Sequence, residues 1–235
     1  LVDGSLEELA LTGLKTLDVS HSSITADQLK GLLENAENLE ELKLYSCNHL
    51  GIGDLKGFEL SNLKTLNVSY SSITADQLRV LLERCPGLKT LELNVCSNLG
   101  EGSLKGDELK NLETLNVNHS SITSGQVKGL LQRCTNLRDL GLLGCKSLEI
   151  NAILKAIPEK FWHNITASQL KGLLERCTNL ETLNLSGCKN LGEGELEGLK
   201  LSNLKTLNVS YSTITADQLR TLLESCQSLD YLKLS

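Results

Sequence analysis

The sequence predicts one α/β solenoid domain spanning residues 1–235, with about ten coils, a parallel β-sheet on one face and helices on the other. Three observations predict it. The residues ITADQL occur at Ile24–Leu29, Ile73–Leu78 and Ile214–Leu219, with variants ITSGQV at Ile122–Val127 and ITASQL at Ile165–Leu170. The spacings between these five are 49, 49, 43 and 49 residues, a fixed period with one interval six residues short. Within each period the pattern L-x-x-L-x-L/V begins twice, at Leu14, Leu39, Leu63, Leu88, Leu112, Leu137, Leu180, Leu204 and Leu229. The steps alternate between 25 and 24 residues, except across the short interval. We call the coils starting at Leu14, Leu63, Leu112 and Leu204 A units, and those starting at Leu39, Leu88, Leu137, Leu180 and Leu229 B units.

One A unit shows how the elements follow from residue chemistry. In LKTLNV (63–68), Leu66 and Val68 alternate with the polar Thr65 and Asn67, the period of two of a short strand with one face inward. In ITADQLRVLLERC (73–85), Thr74 and Gln77 have the spacing of a capping box, and Ile73 and Leu78 flank it as a staple. Leu78, Leu81 and Leu82 then share one helical face. One such coil cannot bury its own apolar face, whereas stacked coils bury a continuous one.

The cysteines follow the same period. Cys47, Cys96, Cys145 and Cys188 sit just past B strands, and Cys85, Cys134, Cys177 and Cys226 just before them. With the I-T-D/A helix start, this pattern resembles the cysteine-containing leucine-rich repeats found beside F-box domains and in bacterial effectors. The A units depart from it, placing Ser22, Ser71, Ser120 and Ser212 where those repeats carry Cys or Asn. The resemblance implies a right-handed horseshoe with the sheet on its concave face, where partners bind. Equivalent cysteines stand two coils apart, roughly 10 Å at about 4.8 Å per strand, too far for disulfides. All eight are expected to be reduced and buried, in a reducing, cytoplasmic compartment, including a host cytosol after secretion. No C-x-x-C or clustered Cys/His spacing suggests zinc.

Composition narrows the functional classes. A net charge of −6 without a basic run points away from nucleic acid and anionic membranes. No stretch of 18 apolar residues and no signal peptide is visible. GIGDLKG (51–57), GEGSLKG (100–106) and GEGELEG (192–198) look like phosphate loops. They lack the terminal Lys-Ser/Thr and recur as the B-unit turn, which assigns them a backbone role. Sites such as Asn67-Val-Ser69 fit the glycosylation pattern but follow from the repeat. No Ser/His/Asp or Cys/His set is distinctive. The reading is a non-catalytic scaffold with a protein partner and no cofactor, metal, nucleic acid, membrane or small-molecule substrate. The chain opens and stops within a repeat, so it reads as an excerpt of a longer protein.

Candidate binding residues are those that break the repeat on the concave side. The outward strand columns are mostly Thr and Asn, and Tyr45, Glu92, Asp139, Gly141 and Leu143 interrupt them. A further column, just past each A strand, reads His21, Tyr70, His119 and Tyr211, and the 49-residue period extends it to Trp162. Exposed aromatic side chains are favoured interface anchors. The candidate site is therefore Tyr45, Tyr70, Glu92, His119, Asp139, Leu143, Trp162 and Tyr211.

The short interval contains IPEKFWHNIT (157–166), with the only Trp and one of two Phe. INAILKAI (150–157) has the apolar spacing of a helix. In the following A coil, Pro158 and Lys160 occupy the positions of core Leu and Val. The expectation is an extended segment and a distorted sheet beside Asp139–Leu143. Phe161 would face inward in place of the lost Leu and Val, and Trp162 outward on the concave side.

Overall fold

The computed structural model describes residues 11–106, 109–142, 145, 148, 153, 156–157, 159–175, 180–192 and 194–234. The strands are three residues each: β1 Thr16–Asp18, β2 Glu41–Lys43, β3 Thr65–Asn67, β4 Thr90–Glu92, β5 Thr114–Asn116, β6 Asp139–Gly141, β7 Thr182–Asn184, β8 Thr206–Asn208 and β9 Tyr231–Lys233. All pairings are parallel and in register with the repeat, so Leu42, Leu66, Leu91 and Leu115 lie side by side and are fully buried. Each such leucine contributes roughly 1.5–3 kcal/mol of apolar burial, and stacking makes the column continuous.

Helices close the A units: α1 Ala26–Leu33, α2 Ala75–Glu83, α3 Ser124–Leu131, α5 Ala167–Leu174 and α6 Ala216–Glu224. Each begins with the expected reciprocal capping box, from Thr25, Thr74, Thr123, Thr166 and Thr215. The glutamine of that box also has a job the sequence did not reveal. Gln77 Nε2 donates to the carbonyls of Leu50 and Gly53 in the preceding coil, at 2.8 and 3.0 Å. Gln126 and Gln218 repeat this with Leu99 and Gly102, and with Leu191 and Gly194. The glycine-rich B turns are thus held by their own carbonyls, with Gly53, Gly102 and Gly194 at φ of 97°, 97° and 103°. That is the backbone role expected for them.

The cysteines that follow B strands have an equally local purpose. The thiol of Cys47 lies 3.2 Å from the Val19 carbonyl of the preceding A coil, Cys96 is as close to Val68, and Cys145 is 2.9 Å from Val117. A buried weak donor thereby satisfies a carbonyl at the coil corner. Burial pushes the thiols of Cys85 and Cys134 up to about 12 and those of Cys96 and Cys188 up to about 11. No described cysteine is in a disulfide, and all but one are buried. Cys226 departs from the expectation of burial, being partly exposed, and Cys177 lies outside the described residues. A thiol reagent at neutral pH is therefore expected to modify Cys226 first in the native protein. Cys85, Cys96 and Cys134 should react only on denaturation. Rapid native labelling of these three, mapped by mass spectrometry, would show that the core is not closed around them.

The short interval departs most from expectation. The residues are not extended: Glu159–Asn164 form a helix, α4. The sheet accordingly divides into six strands, β1–β6, and three strands, β7–β9. Proline cannot donate to an interior ladder, and its position here is that of the central strand leucine. The chain takes a helical turn instead, and Phe161 enters the core with no exposed surface, as expected. Trp162 is half-buried, packed on the core with its ring 6.1 Å from Phe161 and edge-on to it. Its expected exposure on the concave side is therefore corrected. The alternation of inward and outward side chains that implied it belongs to a strand, not a helix. Past this point the coil resumes its register, with Asn190 Nδ2 donating to the Asn164 carbonyl as Asn98 does to Ser72. Of the helix expected over 150–157, Ile153 is helical, and Ile153 and Ile157 are buried; the rest lies outside the described residues.

Candidate protein-binding site

The concave surface is built from strand ends, and its corners explain much of its composition. Asn67, Asn116, Asn184 and Asn208 each accept, through Oδ1, a hydrogen bond from the backbone N–H two residues on, at 3.0–3.3 Å; Asp18 does the same. These side chains form Asx turns that end the strand. The same bond ties Asn67 to Ser69, which gives the apparent glycosylation site a structural purpose. The asparagine column is therefore part of the coil corner. The positions that replace it, Lys43, Glu92, Gly141 and Lys233, are the ones left over for another role.

The residue that follows each turn, three after the asparagine, takes the left-handed region, and so do its counterparts in B coils. His21, Ser46, Tyr70, Val95, His119 and Tyr211 have φ between 54° and 60°, and Gly187 occupies the same place at 73°. The expected aromatic column is thus a column of left-handed corners. His21, Ser46, Tyr70, Val95 and Gly187 hold their places through a backbone N–H to the next coil, as from His21 to Tyr45 and from Tyr70 to Asn94, at 2.8 and 2.7 Å. Trp162 is not among the corners, because its segment is helical. A β-branched side chain is poorly suited to such a corner. Val95→Gly is therefore expected to stabilise the domain by about 1 kcal/mol. A denaturant melt showing loss of stability instead would mean that Val95 makes packing contacts worth more than the strain.

At one end of the sheet the corners bring rings together. The His21 and Tyr45 rings are 5.2 Å apart and edge-on, and the Tyr45 and Tyr70 rings are 5.0 Å apart and tilted. Tyr45 points to the concave side, two residues past β2, and Tyr70 is 46% exposed. The three form a stepped stack across adjacent coils. His119 and Tyr211 are exposed but stand apart from it.

Two carboxylates lie on the same sheet face, Glu92 one coil on from Tyr70 and Asp139 two strands beyond Glu92, at the other end of its strand. Glu92, half-buried at the end of β4, accepts a hydrogen bond from Asn94 Nδ2 at 2.8 Å. Burial pushes its carboxyl above the ordinary range, and the nearby Asp139 charge adds to the effect. Asp139, exposed at the start of β6, accepts from Gln169 Nε2 at 3.1 Å. Among the described residues neither carboxylate has a cationic partner within ion-pair distance, whereas Glu41 and Glu40 do. Glu41 has Lys43 at 3.2 Å. Glu40 lies between Lys15 and Lys64, whose hydrogen bonds, Lys64 first, hold its carboxyl down to about 2. Gly141 leaves room that the Asn116 and Asn118 side chains occupy.

Of the sequence-derived candidates, then, Tyr45 and Tyr70 come together, Glu92 and Asp139 form a second group beside them, and His119 and Tyr211 are exposed but separate. Trp162 belongs to the core side of the break, and Leu143 lies outside the described residues. Asn94, which joins Glu92 to Ser69 and Tyr70, was not singled out from the sequence. Comparing Tyr45, Asn94 and Asn118 down their own column would have found it. No group of three or more His, Cys, Asp or Glu is placed to hold a metal among the described residues, and no helix there is long and apolar enough to cross a membrane.

Comparison with known families agrees with the coil geometry. Residues 3–104 match the family described as the LRR repeats of an FBD-associated F-box protein, and residues 179–200 match the leucine-rich repeat family. The curated proteins give no match. Among solved structures, the chain is similar to one in the yeast Rad7–Elc1 complex, at 18% identity and a TM-score of 0.44, covering 97% of this chain and 72% of that chain. It is similar to internalin C2 from Listeria monocytogenes, at 18% identity and a TM-score of 0.42, covering 96% and 82%. A third is TLR13 in its complex with ssRNA13, at 17% identity and a TM-score of 0.39, covering 94% and 38%. The L-x-x-L-x-L/V period, its parallel one-strand-per-coil sheet and the two family matches identify the chain as a leucine-rich repeat protein.

Proposed function

We propose that this domain is a non-catalytic scaffold that binds a protein partner on its concave face, centred on Tyr45 and Tyr70 with Glu92 and Asp139 beside them. The observation that carries the proposal is the stepped ring stack, two of whose members sit at left-handed corners. Non-glycine residues in that conformation cost folding energy, and partly exposed tyrosines held rigidly are efficient contact surface. Among the described residues, burial raises the thiols of Cys85, Cys96 and Cys134, which fits core packing rather than nucleophilic use of these three.

Two settings fit this reading. The match of residues 3–104 to repeats of an F-box-associated protein favours the substrate-recognition part of an F-box-type ubiquitin ligase receptor. The near-identity of the A-unit motifs, as in ITADQL at three places, favours a recently duplicated bacterial effector acting in a host cytosol. In either setting the repeats could also serve as the binding arm of a catalytic domain elsewhere in a longer chain. The free thiols favour a reducing compartment for all of these.

A displayed peptide library selected against the domain tests the binding face. Ligands recovered on the native protein should fail on a Tyr45→Ala/Tyr70→Asn variant, asparagine being tolerant of the left-handed corner. Ligands that bind both proteins equally would place the binding surface elsewhere.

A further inference from the structure

We infer that the partner segment recognised at this face is cationic and rich in arginine, its guanidinium groups stacking on Tyr45 and Tyr70 and pairing with Glu92 and Asp139. The inference rests on the concave-face reading above and adds the chemistry of the ligand. It begins from charge. Glu92 and Asp139 act on each other as like charges, and neither has a cation among the described residues, although the lysines and arginines of neighbouring coils pair with Glu40, Glu41, Glu59 and Glu113. Glu92 is also half-buried, so its charge is held away from water with only neutral hydrogen-bond partners. Two like charges on one sheet face, one of them half-buried and without a cation, are a cost to the free protein that an incoming cation removes.

The rings select which cation. Tyr45 and Tyr70 are tilted at 48° with centroids 5.0 Å apart, and Tyr70 remains 46% exposed. The Tyr70 backbone N–H bonds the Asn94 carbonyl, and the Asn94 side chain bonds Glu92, so ring and carboxylate sit on adjoining coils joined by one residue. A planar guanidinium can lie on such a ring and still present its N–H groups to a carboxylate at the side, which a lysine ammonium cannot do bidentately. The net charge of −6 attracts such a segment from a distance.

Fluorescence anisotropy with labelled nona-arginine and nona-lysine peptides tests the inference at low and physiological salt. Nona-arginine should bind more tightly than nona-lysine. A Glu92→Gln/Asp139→Asn variant should lose about tenfold or more of that affinity, and Tyr45→Ala/Tyr70→Asn a similar factor. A Glu195→Gln/Glu197→Gln control removes the same charge from an exposed turn and should change little. Circular dichroism confirms that each variant is folded, and relief of like charge should leave the first at least as stable as the native protein. Equal losses in the control and the site variant, or equal binding of the two peptides, would overturn the inference. If library peptides lose binding on the Tyr45→Ala/Tyr70→Asn variant yet carry no excess of arginine, the concave-face reading stands and the cationic ligand fails. If they bind that variant unchanged, both fail.

Discussion

Replacing Phe161 by alanine should destabilise the domain by about 3–5 kcal/mol, the range for emptying a large aromatic site in a packed core. Phe161 has no exposed surface, and its ring stands where the shortened coil has lost a strand leucine and a valine. The cavity would open between the six-stranded and three-stranded sheets, with Trp162 leaning into it. Trp162→Ala should cost less, about 1–2 kcal/mol, because that ring is only partly covered. The tryptophan emission of the native protein should be blue-shifted relative to free indole and should move to the red in Phe161→Ala. Denaturant melts giving equal losses for the two variants would mean that the break is not organised around Phe161.

The second large effect concerns the glutamines that stitch coils together. Gln126→Ala removes donors to the Leu99 and Gly102 carbonyls, at 2.6 and 3.1 Å, and the acceptor for the Thr123 backbone N–H at 2.9 Å. Gln126 is buried, and the Leu99 carbonyl has little route to water. Each buried group left unpaired costs about 1–3 kcal/mol, so the loss should be about 3 kcal/mol. Gln169 holds the same sequence position but donates to the Arg138 carbonyl and the Asp139 carboxylate, at exposed sites. Gln169→Ala should therefore cost less than about 1 kcal/mol. Similar losses at the two positions would show that the helix cap alone, common to both, accounts for the glutamine.

The contrast between these glutamines marks where the sequence was legible. Strands, capping boxes and the Leu66 and Leu78 columns follow from periodicity, since each coil repeats the same local physics. The second bond of Gln77 and Gln126 joins residues 24–27 apart, and nothing in the motif T-x-x-Q announces it. The left-handed corners at Tyr70 and Tyr211 were hidden for a related reason. Glycine, the usual sign of that conformation, appears at Gly187 but is replaced at the other described corners by His, Tyr, Ser or Val. At Tyr70, His119, Gly187 and Tyr211 the asparagine three residues earlier carries the missing signal, because its side chain closes an Asx turn, as Asp18 does before His21. At 157–166 the inward turn of Phe161 was readable from volume and polarity. The exposure of Trp162 was not, because it follows only from the alternation of a strand, and Pro158 disfavours a strand there. The candidate site was legible as departures from the repeat. Which departures meet in space depended on the stepped packing of Tyr45 between His21 and Tyr70.

Photo-crosslinking tests the central claim, binding at the concave ring stack, most directly. A benzoylphenylalanine placed at Tyr45 and, separately, at Arg79 on the surface of α2 would be irradiated with a ligand selected on the native domain. Mass spectrometry should find the ligand attached at position 45 and not at 79. Attachment at 79 with none at 45 would contradict the account and place the partner on the helical face.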